Sequence, residues 1–216
     1  MDIFRLYILP NFVLVFICLI IIAHGIYSFK KHSKISLYAI LISLTTLLLA
    51  ISTILETYSK EVVNPDTTLV FAILGYTLRP TCIYLFILLT VDAKKNKYFY
   101  LASIPLFINL TIYLLAFNKD IASYIVYFDI NDDGGISFGG GVLRYTSHVI
   151  SLGYLLWLMH LSLSTIKFKR VLRGVITMIC SVMVIAAAVI ESFLNANGNI
   201  FILNTVIAFS ALFYYL

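Results

Sequence analysis

Charged residues are scarce in this chain, and that scarcity is the first guide to its class. They make up 12% of the sequence, whereas hydrophobic residues make up 62%. A soluble domain is usually about half apolar and about a quarter charged. The composition therefore excludes an ordinary soluble domain and predicts an integral membrane protein. We expect the lipid bilayer to be its surroundings and expect no nucleic-acid partner.

Cysteine is nearly absent, because the chain contains only three. An odd number of cysteines, each inside an apolar run, does not support a disulfide framework. We interpret them as small apolar packing residues, namely Cys18, Cys82 and Cys180.

Catalytic motifs are missing. Neither a G-x-S-x-G nor an H-E-x-x-H pattern occurs in the sequence. The last apolar run has no lysine, so a retinal Schiff base of the rhodopsin kind is excluded. We therefore expect no catalytic residue and interpret this chain as not being an enzyme.

Ligand patterns for metals and cofactors are incomplete. His24 and His160 lie near the same predicted side of the membrane, but one such pair favours packing or interfacial histidines over haem ligation. The segment Asp129–Gly134 matches the opening of a calcium-binding loop, yet the twelfth position is Gly140 rather than glutamate. We expect neither a metal nor a cofactor.

Proline is also scarce, and its positions bear on transport. Many transporters are built from internal repeats. The prolines do not recur at matching places in two halves of the chain, since they are Pro10, Pro65, Pro80 and Pro105. A small-solute transporter is therefore the alternative interpretation rather than the leading one.

Long apolar runs are what the sequence has in abundance. A membrane-spanning helix needs about 20 predominantly apolar residues. The runs predict an all-α bundle of seven transmembrane helices at residues 7–29, 35–57, 67–91, 98–117, 142–166, 174–194 and 200–216. The seventh is short for a hydrocarbon core of about 30 Å, so we expect the natural chain to continue into the cytoplasm.

Basic residues mark alternate loops. The connections after the first, third and fifth runs hold ten of the fifteen Lys and Arg residues: Lys30, Lys31, Lys34, Lys94, Lys95, Lys97, Lys167, Lys169, Arg170 and Arg173. Loops rich in Lys and Arg stay in the cytoplasm. We therefore predict an N-terminus outside the cell, a cytoplasmic C-terminus and a multi-pass protein of the plasma membrane.

The connection from Asn118 to Gly141 is the only long one. Residues 124–130 are rich in aromatic and branched side chains, Asn131–Gly135 is a strong turn signal, and residues 136–138 are suited to a returning strand. We predict a small extracellular β-hairpin between the fourth and fifth helices.

Arg79 and Pro80 lie near the middle of the third run. An ionised side chain at that depth normally faces a protein interior or a water-filled cavity. Pro80 has no N–H, so the carbonyl of Tyr76 loses its helical donor and the helix should kink. We expect this carbonyl to be free and to lie beside a binding pocket.

Other polar residues fall in the outer half of the predicted bundle. We interpret the set as a ligand-binding pocket beneath the long loop, made by Glu56, Tyr76, Arg79, Arg144, His148 and Glu191. Arginine holds carboxylates and glutamate takes amines, so a small zwitterionic or anionic ligand fits. The alternatives are interfacial roles for Glu56, Glu191 and Arg144, and a structural salt bridge for Arg79.

Several short motifs carry a resemblance to a known family. They are Gly75-Tyr76-Thr77-Leu78-Arg79-Pro80 with Ile83-Tyr84-Leu85, Phe128-Asp129, Arg144-Tyr145 with His148, and Glu191-Ser192-Phe193. The chain resembles the seven-helix N-terminal region of bacterial histidine kinases and diguanylate cyclases. The resemblance implies a sensory input module, with a cytoplasmic kinase or cyclase output domain and a homodimeric full-length protein. One departure is Gly139-Gly140-Gly141-Val142, where a Gly-Pro step is expected.

Signal relay in such a module requires helix ends to move. We predict that Pro80 is the hinge, because a ligand that pairs with Arg79 or with the Tyr76 carbonyl would favour one bend of the third helix. The alternative is a static kink that serves packing alone.

Overall fold

The structure is a computed structural model, which describes residues 3–29, 33–90, 98–167, 171–194, 206, 207 and 210. Most of these residues are helical. The α-helices are α1 (Ile3–Ser28), α2 (Ser33–Glu61), α3 (Pro65–Thr90), α4 (Tyr98–Leu101), α5 (Ile104–Leu114), α6 (Lys119–Ala122), α7 (Thr146–Lys167) and α8 (Val171–Leu194). Short 3-10 helices follow α5 at Leu115–Phe117 and precede α7 at Val142–Tyr145, and the strands are β1 (Tyr127–Ile130) and β2 (Ile136–Gly139).

Three helices are long and apolar enough to cross a membrane. Their apolar stretches are Asn11–Ser28, Ser36–Glu61 and Pro65–Leu89. The prediction of a largely helical chain is therefore confirmed, and three apolar helices of this length suggest a membrane protein. The count of seven spans and the orientation stay predictions, and the seventh run lies outside the described residues except at 206, 207 and 210.

The fourth predicted helix is not continuous. A turn at residues 102–103 separates α4 from α5, and the Ser103 N–H and hydroxyl both bond to the Tyr100 carbonyl, at 3.1 and 2.7 Å. Pro105 lies in the first turn of α5, where its missing N–H costs nothing. The expectation of one helix over residues 98–117 is wrong because this proline begins a new helix.

Helix α3 is the centre of the described bundle, since it contacts α2, α5, α7 and β1. Its apolar face packs with α7 and α8 in a core that includes Ile83, Ile87, Leu155, Leu158 and Val184. The ring of Tyr76 lies beside His148, and that of Tyr84 lies beside Tyr154. Helices α3 and α7 therefore run in the same direction, with their N-terminal ends together.

The predicted hairpin is confirmed. Strands β1 and β2 are antiparallel, with Tyr127 opposite Gly139 and Ile130 opposite Ile136. The Asn131 N–H donates to the Gly135 carbonyl at 2.8 Å, and Gly134 adopts a φ of 79°, which favours glycine. The hairpin packs on α3 and α5 through Ile125, Val126 and neighbouring aromatic rings.

The two glycines that follow β2, Gly140 and Gly141, are required by close backbone contacts. A Cβ at Gly140 would lie 2.4 Å from the Ile125 carbonyl oxygen, and one at Gly141 would lie 2.5 Å from the Tyr124 carbonyl oxygen. The Leu143 N–H also bonds to the Tyr124 carbonyl at 3.2 Å. The chain therefore returns toward α7 in direct backbone contact with the segment before β1.

Candidate functional site

The main-chain carbonyl of Tyr76 is the point where three helices meet. It accepts a 2.6 Å hydrogen bond from the Ser147 hydroxyl of α7 and a 3.2 Å bond from the Asn109 side-chain amide of α5. Both donors are completely or almost completely buried. The expectation that this carbonyl is free is wrong, because two side-chain donors replace the N–H that Pro80 lacks.

An aromatic stack lies against this junction. The rings of Tyr76 and Tyr113 are parallel within 6°, with centroids 5.0 Å apart. The Arg79 guanidinium lies 5.1 Å from the Tyr76 ring centroid, and His148 lies 6.0 Å from it. The predicted grouping of Tyr76, Arg79 and His148 is thus present as a packed cluster.

A cavity of about 280 Å³ adjoins the cluster between α3, α7 and α8. Its polar lining is Arg79, His148 and Ser151, and its apolar lining is Ile83, Leu152, Leu155, Val184, Ile185, Ala188, Val189 and Ile207. Arg79 is only 4% exposed. The arginine therefore faces a protein interior, as its position near the middle of the third apolar run predicts.

Two polar atoms beside the cavity lack hydrogen-bond partners among the described residues. They are the Nδ1 of His148 and the Oγ of Ser151, both buried. A buried polar group without a partner costs free energy, which a ligand or water with complementary polar atoms would recover. The polar end of the cavity is therefore suited to a polar ligand group.

Arg144 takes a different place from the one predicted. Its guanidinium lies over the rings of Tyr145, at 4.6 Å, and Phe138, at 5.8 Å, and donates to the Tyr145 hydroxyl. Its carbonyl accepts a 2.6 Å bond from the hydroxyl of Tyr113. Arg144 does not line the cavity and instead joins β2 and α5 to the start of α7.

Glu56 also lies apart from the cavity lining. Its carboxylate forms a 3.0 Å ion pair with Lys60, one turn later on α2. The Lys60 ammonium in turn lies 5.4 Å from the ring centroid of Phe128 on β1. Glu56 thus belongs to the contact between α2 and the hairpin, in keeping with a structural role rather than ligand contact.

Glu191 belongs to α8 and follows Val189, which lines the cavity, by two positions. Its side chain lies outside the described residues. Its predicted roles, in ligand binding or in an ion pair with Arg79, stay predictions.

Sequence reasoning missed Ser147, Ser151, Asn109 and Tyr113. Serine and threonine in membrane helices usually bond to a carbonyl of their own helix, as Ser162 does on α7. Their role in joining helices is therefore visible only in three dimensions. Asn109 carried a signal, because an amide inside an apolar run needs a buried partner.

Comparison with known proteins gives no family assignment: no family model, curated protein or solved structure matches this chain. In the part of the chain that the structure describes, no group of three or more His, Cys, Asp and Glu side chains is placed to hold a metal ion. The described residues form a helical bundle that has three apolar helices long enough to cross a membrane and a cavity that is polar at one end.

Proposed function

We propose that this chain is the membrane-embedded sensory input module of a signalling protein. It binds a small ligand in the cavity between α3, α7 and α8. The observation that carries the proposal is the presence of three polar side chains, Arg79, His148 and Ser151, at one end of a cavity whose other described lining residues are apolar. A largely apolar cleft or cavity with a few convergent polar groups is the usual form of a small-molecule site.

The charge of the site selects the ligand. Arg79 supplies a permanent positive charge, and its guanidinium has five N–H donors, so it can bind an anionic ligand group as well as a partner in the protein. An anionic group is therefore favoured over a cationic one. A zwitterion fits if the carboxylate of Glu191 reaches the same space.

The finer parts of the proposal follow the predicted topology and the family resemblance. The module has seven spans in the plasma membrane, with the N-terminus outside. It relays its signal to a cytoplasmic histidine kinase or diguanylate cyclase domain, and the full-length protein is a homodimer. This chain itself carries no catalysis.

A relay path runs along the interface of α3 and α7. The two helices are joined at Tyr76 and Ser147, at the Tyr84–Tyr154 ring contact, and through Ile87 and Leu158 in the shared core. The cavity lies beside this interface, against α8. A ligand that fills it changes the separation of α7 and α8, and a tenfold preference for one arrangement is worth about 1.4 kcal/mol.

A chimera tests the function. The chain is fused to a diguanylate cyclase domain, and cellular cyclic dinucleotide is measured with a panel of amino acids, dicarboxylates and medium-chain fatty acids. Ala188 lines the cavity, so Ala188→Phe should abolish a response that wild type shows. Ala186→Phe is the matched control, because Ala186 is exposed on the same helix.

The result that would contradict the sensory function is specific. If no panel member changes the cyclase output, but liposomes containing the chain take up a panel member and Ala188→Phe stops the uptake, the protein is a transporter.

A further inference from the structure

We infer that the ligand is a single-chain amphiphile with a carboxylate head, of the medium-chain fatty-acid class, and that it enters sideways from the bilayer between α7 and α8. This inference rests on the proposed function, because it names the ligand class for the same cavity. Three features of the cavity support this ligand class, namely its polarity, its opening and its size.

The polar end offers donors to an anion. Arg79 presents a guanidinium, Ser151 a hydroxyl, and a neutral imidazole protonated at Nδ1 presents an N–H at His148. Of the buried atoms that have no partner among the described residues, the Ser151 Oγ and the His148 Nδ1 are the two in the lining of this cavity. A carboxylate accepts several hydrogen bonds and donates none, so it complements all three groups.

Among the described residues, the lining of the other end is hydrocarbon, and the polarity changes in one direction along the helices. On α3 the lining passes from Arg79 to Ile83, and on α7 it passes from Ser151 to Leu155. Each step is four residues, or about 6 Å along a helix. Since α3 and α7 run in the same direction, the polar and apolar ends coincide on both helices. A wholly hydrophilic ligand would leave the apolar end unfilled.

A second, smaller cavity extends the apolar end. Its volume is about 20 Å³, and it shares Ile83, Leu155, Val184 and Ile207 with the larger cavity. It continues past Leu158 of α7 toward Cys180 of α8. The space therefore extends a short way further along the helices, to a lining that also includes Thr177, Ser181 and Ser210.

We place the opening of the cavity between α7 and α8. Leu152 of α7 and Val189 of α8 both line it, and they are 47% and 48% exposed. In a membrane-spanning bundle such exposed apolar side chains face lipid tails. The cavity volume of about 280 Å³ lies just below the usual range for ligand pockets, about 300 to 1,000 Å³. It therefore favours one chain over the two chains of a phospholipid.

Equilibrium binding of radiolabelled decanoate to the chain in nanodiscs of neutral lipid tests the ligand class. Competition by octanoate, decanoate and dodecanoate, measured against the free aqueous concentration of each acid, should strengthen about fourfold per CH₂, which corresponds to about 0.8 kcal/mol for each CH₂ transferred from water. Decanol should compete at least tenfold more weakly than decanoate. Decyltrimethylammonium should not compete, and equal competition by all three decyl compounds would overturn the inference.

Two variants tie the binding to this cavity. Ala188→Phe should weaken decanoate binding at least tenfold, whereas the control Ala186→Phe should bind as wild type does. Ser151→Ala, which changes one atom at the polar end, should weaken binding about three- to tenfold. Binding that is unaffected by Ala188→Phe would show that decanoate lies elsewhere, and the inference would fail.

A separate experiment distinguishes a single-chain fatty acid from a two-chain membrane lipid as the source of the anionic group. If nanodiscs that contain phosphatidylglycerol show loss of decanoate binding in wild type, a two-chain membrane lipid occupies the cavity and the single-chain class is wrong. If decanoate binding is unchanged by that lipid, the single-chain class is supported.

The inference and the proposed function can fail independently. If decanoate does not bind but an amino acid drives an Ala188-dependent output in the chimera, the ligand class is wrong and the sensory function stands. If decanoate binding depends on Ala188 but changes no output, the ligand class stands and the sensory function fails.

Discussion

The hydroxyl of Ser147 donates a 2.6 Å hydrogen bond to the main-chain carbonyl of Tyr76. This bond joins α7 to α3 at the residue whose helical donor is removed by Pro80. The Asn109 amide adds a second bond at 3.2 Å, so the same carbonyl also holds α5. One proline thus provides an acceptor for two other helices, and the junction lies beside the proposed ligand cavity.

A double-mutant cycle at Ser147 and Asn109 should reveal that they share one acceptor. Each single change to alanine should lower the free energy of unfolding by about 1 kcal/mol, the usual net value of one hydrogen bond. The double variant should lose more than the sum, because only there is the buried carbonyl left without a side-chain donor, at about 1 to 3 kcal/mol. Unfolding in mixed detergent micelles measures these values.

Ser164→Ala is the matched control for that cycle. The Ser164 hydroxyl bonds to the His160 carbonyl of its own helix. Its loss should change the free energy of unfolding by no more than about 0.5 kcal/mol. Strict additivity of the Ser147 and Asn109 changes would contradict the shared acceptor.

Pro80→Ala tests the same junction by restoring the helical donor of the Tyr76 carbonyl. Alanine in place of the proline supplies an N–H that can donate to the Tyr76 carbonyl, as in an uninterrupted helix. Ser147→Ala should therefore cost less in the Pro80→Ala background than in wild type, by about 1 kcal/mol. An equal cost in both backgrounds would show that the carbonyl does not depend on these donors.

The same variant addresses the predicted hinge. In the cyclase chimera, Pro80→Ala should reduce ligand-dependent output while leaving ligand binding in place. Full output with retained binding would assign Pro80 to packing alone.

Much of the helical framework could be predicted, because apolar runs and turn residues are local signals. The three long apolar helices agree with the predicted runs, and Asn131–Gly135 forms the expected turn of the hairpin. The break before α5 was missed because Pro105 and Ser103 lie within an apolar run that satisfies the length criterion. A proline there is equally compatible with a kink and with the first turn of a new helix.

The segment that leads from the hairpin back to α7 contains two glycines, Gly140 and Gly141, that lie against the backbone before β1. Gly140→Ala places a Cβ about 2.4 Å from a backbone oxygen of Ile125, which cannot move as a side chain can. The change should lower the free energy of unfolding by about 1 to 3 kcal/mol. Gly135→Ala is the matched control, because nothing lies within 4 Å of a Cβ there. Equal stability of the two variants would contradict the close approach.

Glu56→Gln separates structure from ligand binding. Glu56 and Lys60 form a partly buried ion pair, so its loss should lower the free energy of unfolding by about 1 to 3 kcal/mol. Ligand affinity should stay within about twofold of wild type, since Glu56 does not line the cavity. Glu61→Gln, at an exposed position on the same helix, is the stability control. A loss of affinity in Glu56→Gln would restore its predicted role in binding.

The predicted orientation of the chain across the membrane is tested by single-cysteine labelling in intact cells, in a background that lacks the native cysteines. Asp132 is exposed in the hairpin turn, so Asp132→Cys should react with a membrane-impermeant reagent. Ser33→Cys, in the first predicted cytoplasmic loop, should react only after permeabilisation. The reverse pattern would invert the predicted topology.

The candidate site was predictable only in part, for a physical reason. Depth in the membrane follows from sequence, so Arg79 and His148 could be placed at one level. The face that each helix turns toward its neighbours does not follow from depth. Arg144 and Glu56 therefore belong to other contacts, whereas Ser151, with no distinctive pattern of its own, lies at the cavity.

The shared carbonyl of Tyr76 also constrains how the protein is assembled during synthesis. Helix α3 emerges well before α5 and α7, and in lipid an unpaired carbonyl costs several kcal/mol. Until Asn109 and then Ser147 arrive, α3 carries that cost together with the charge of Arg79. We therefore expect α3 to be stable in the bilayer only when α5 and α7 have joined it. Nascent chains that stop before Ser147 are expected substrates for membrane quality-control proteases.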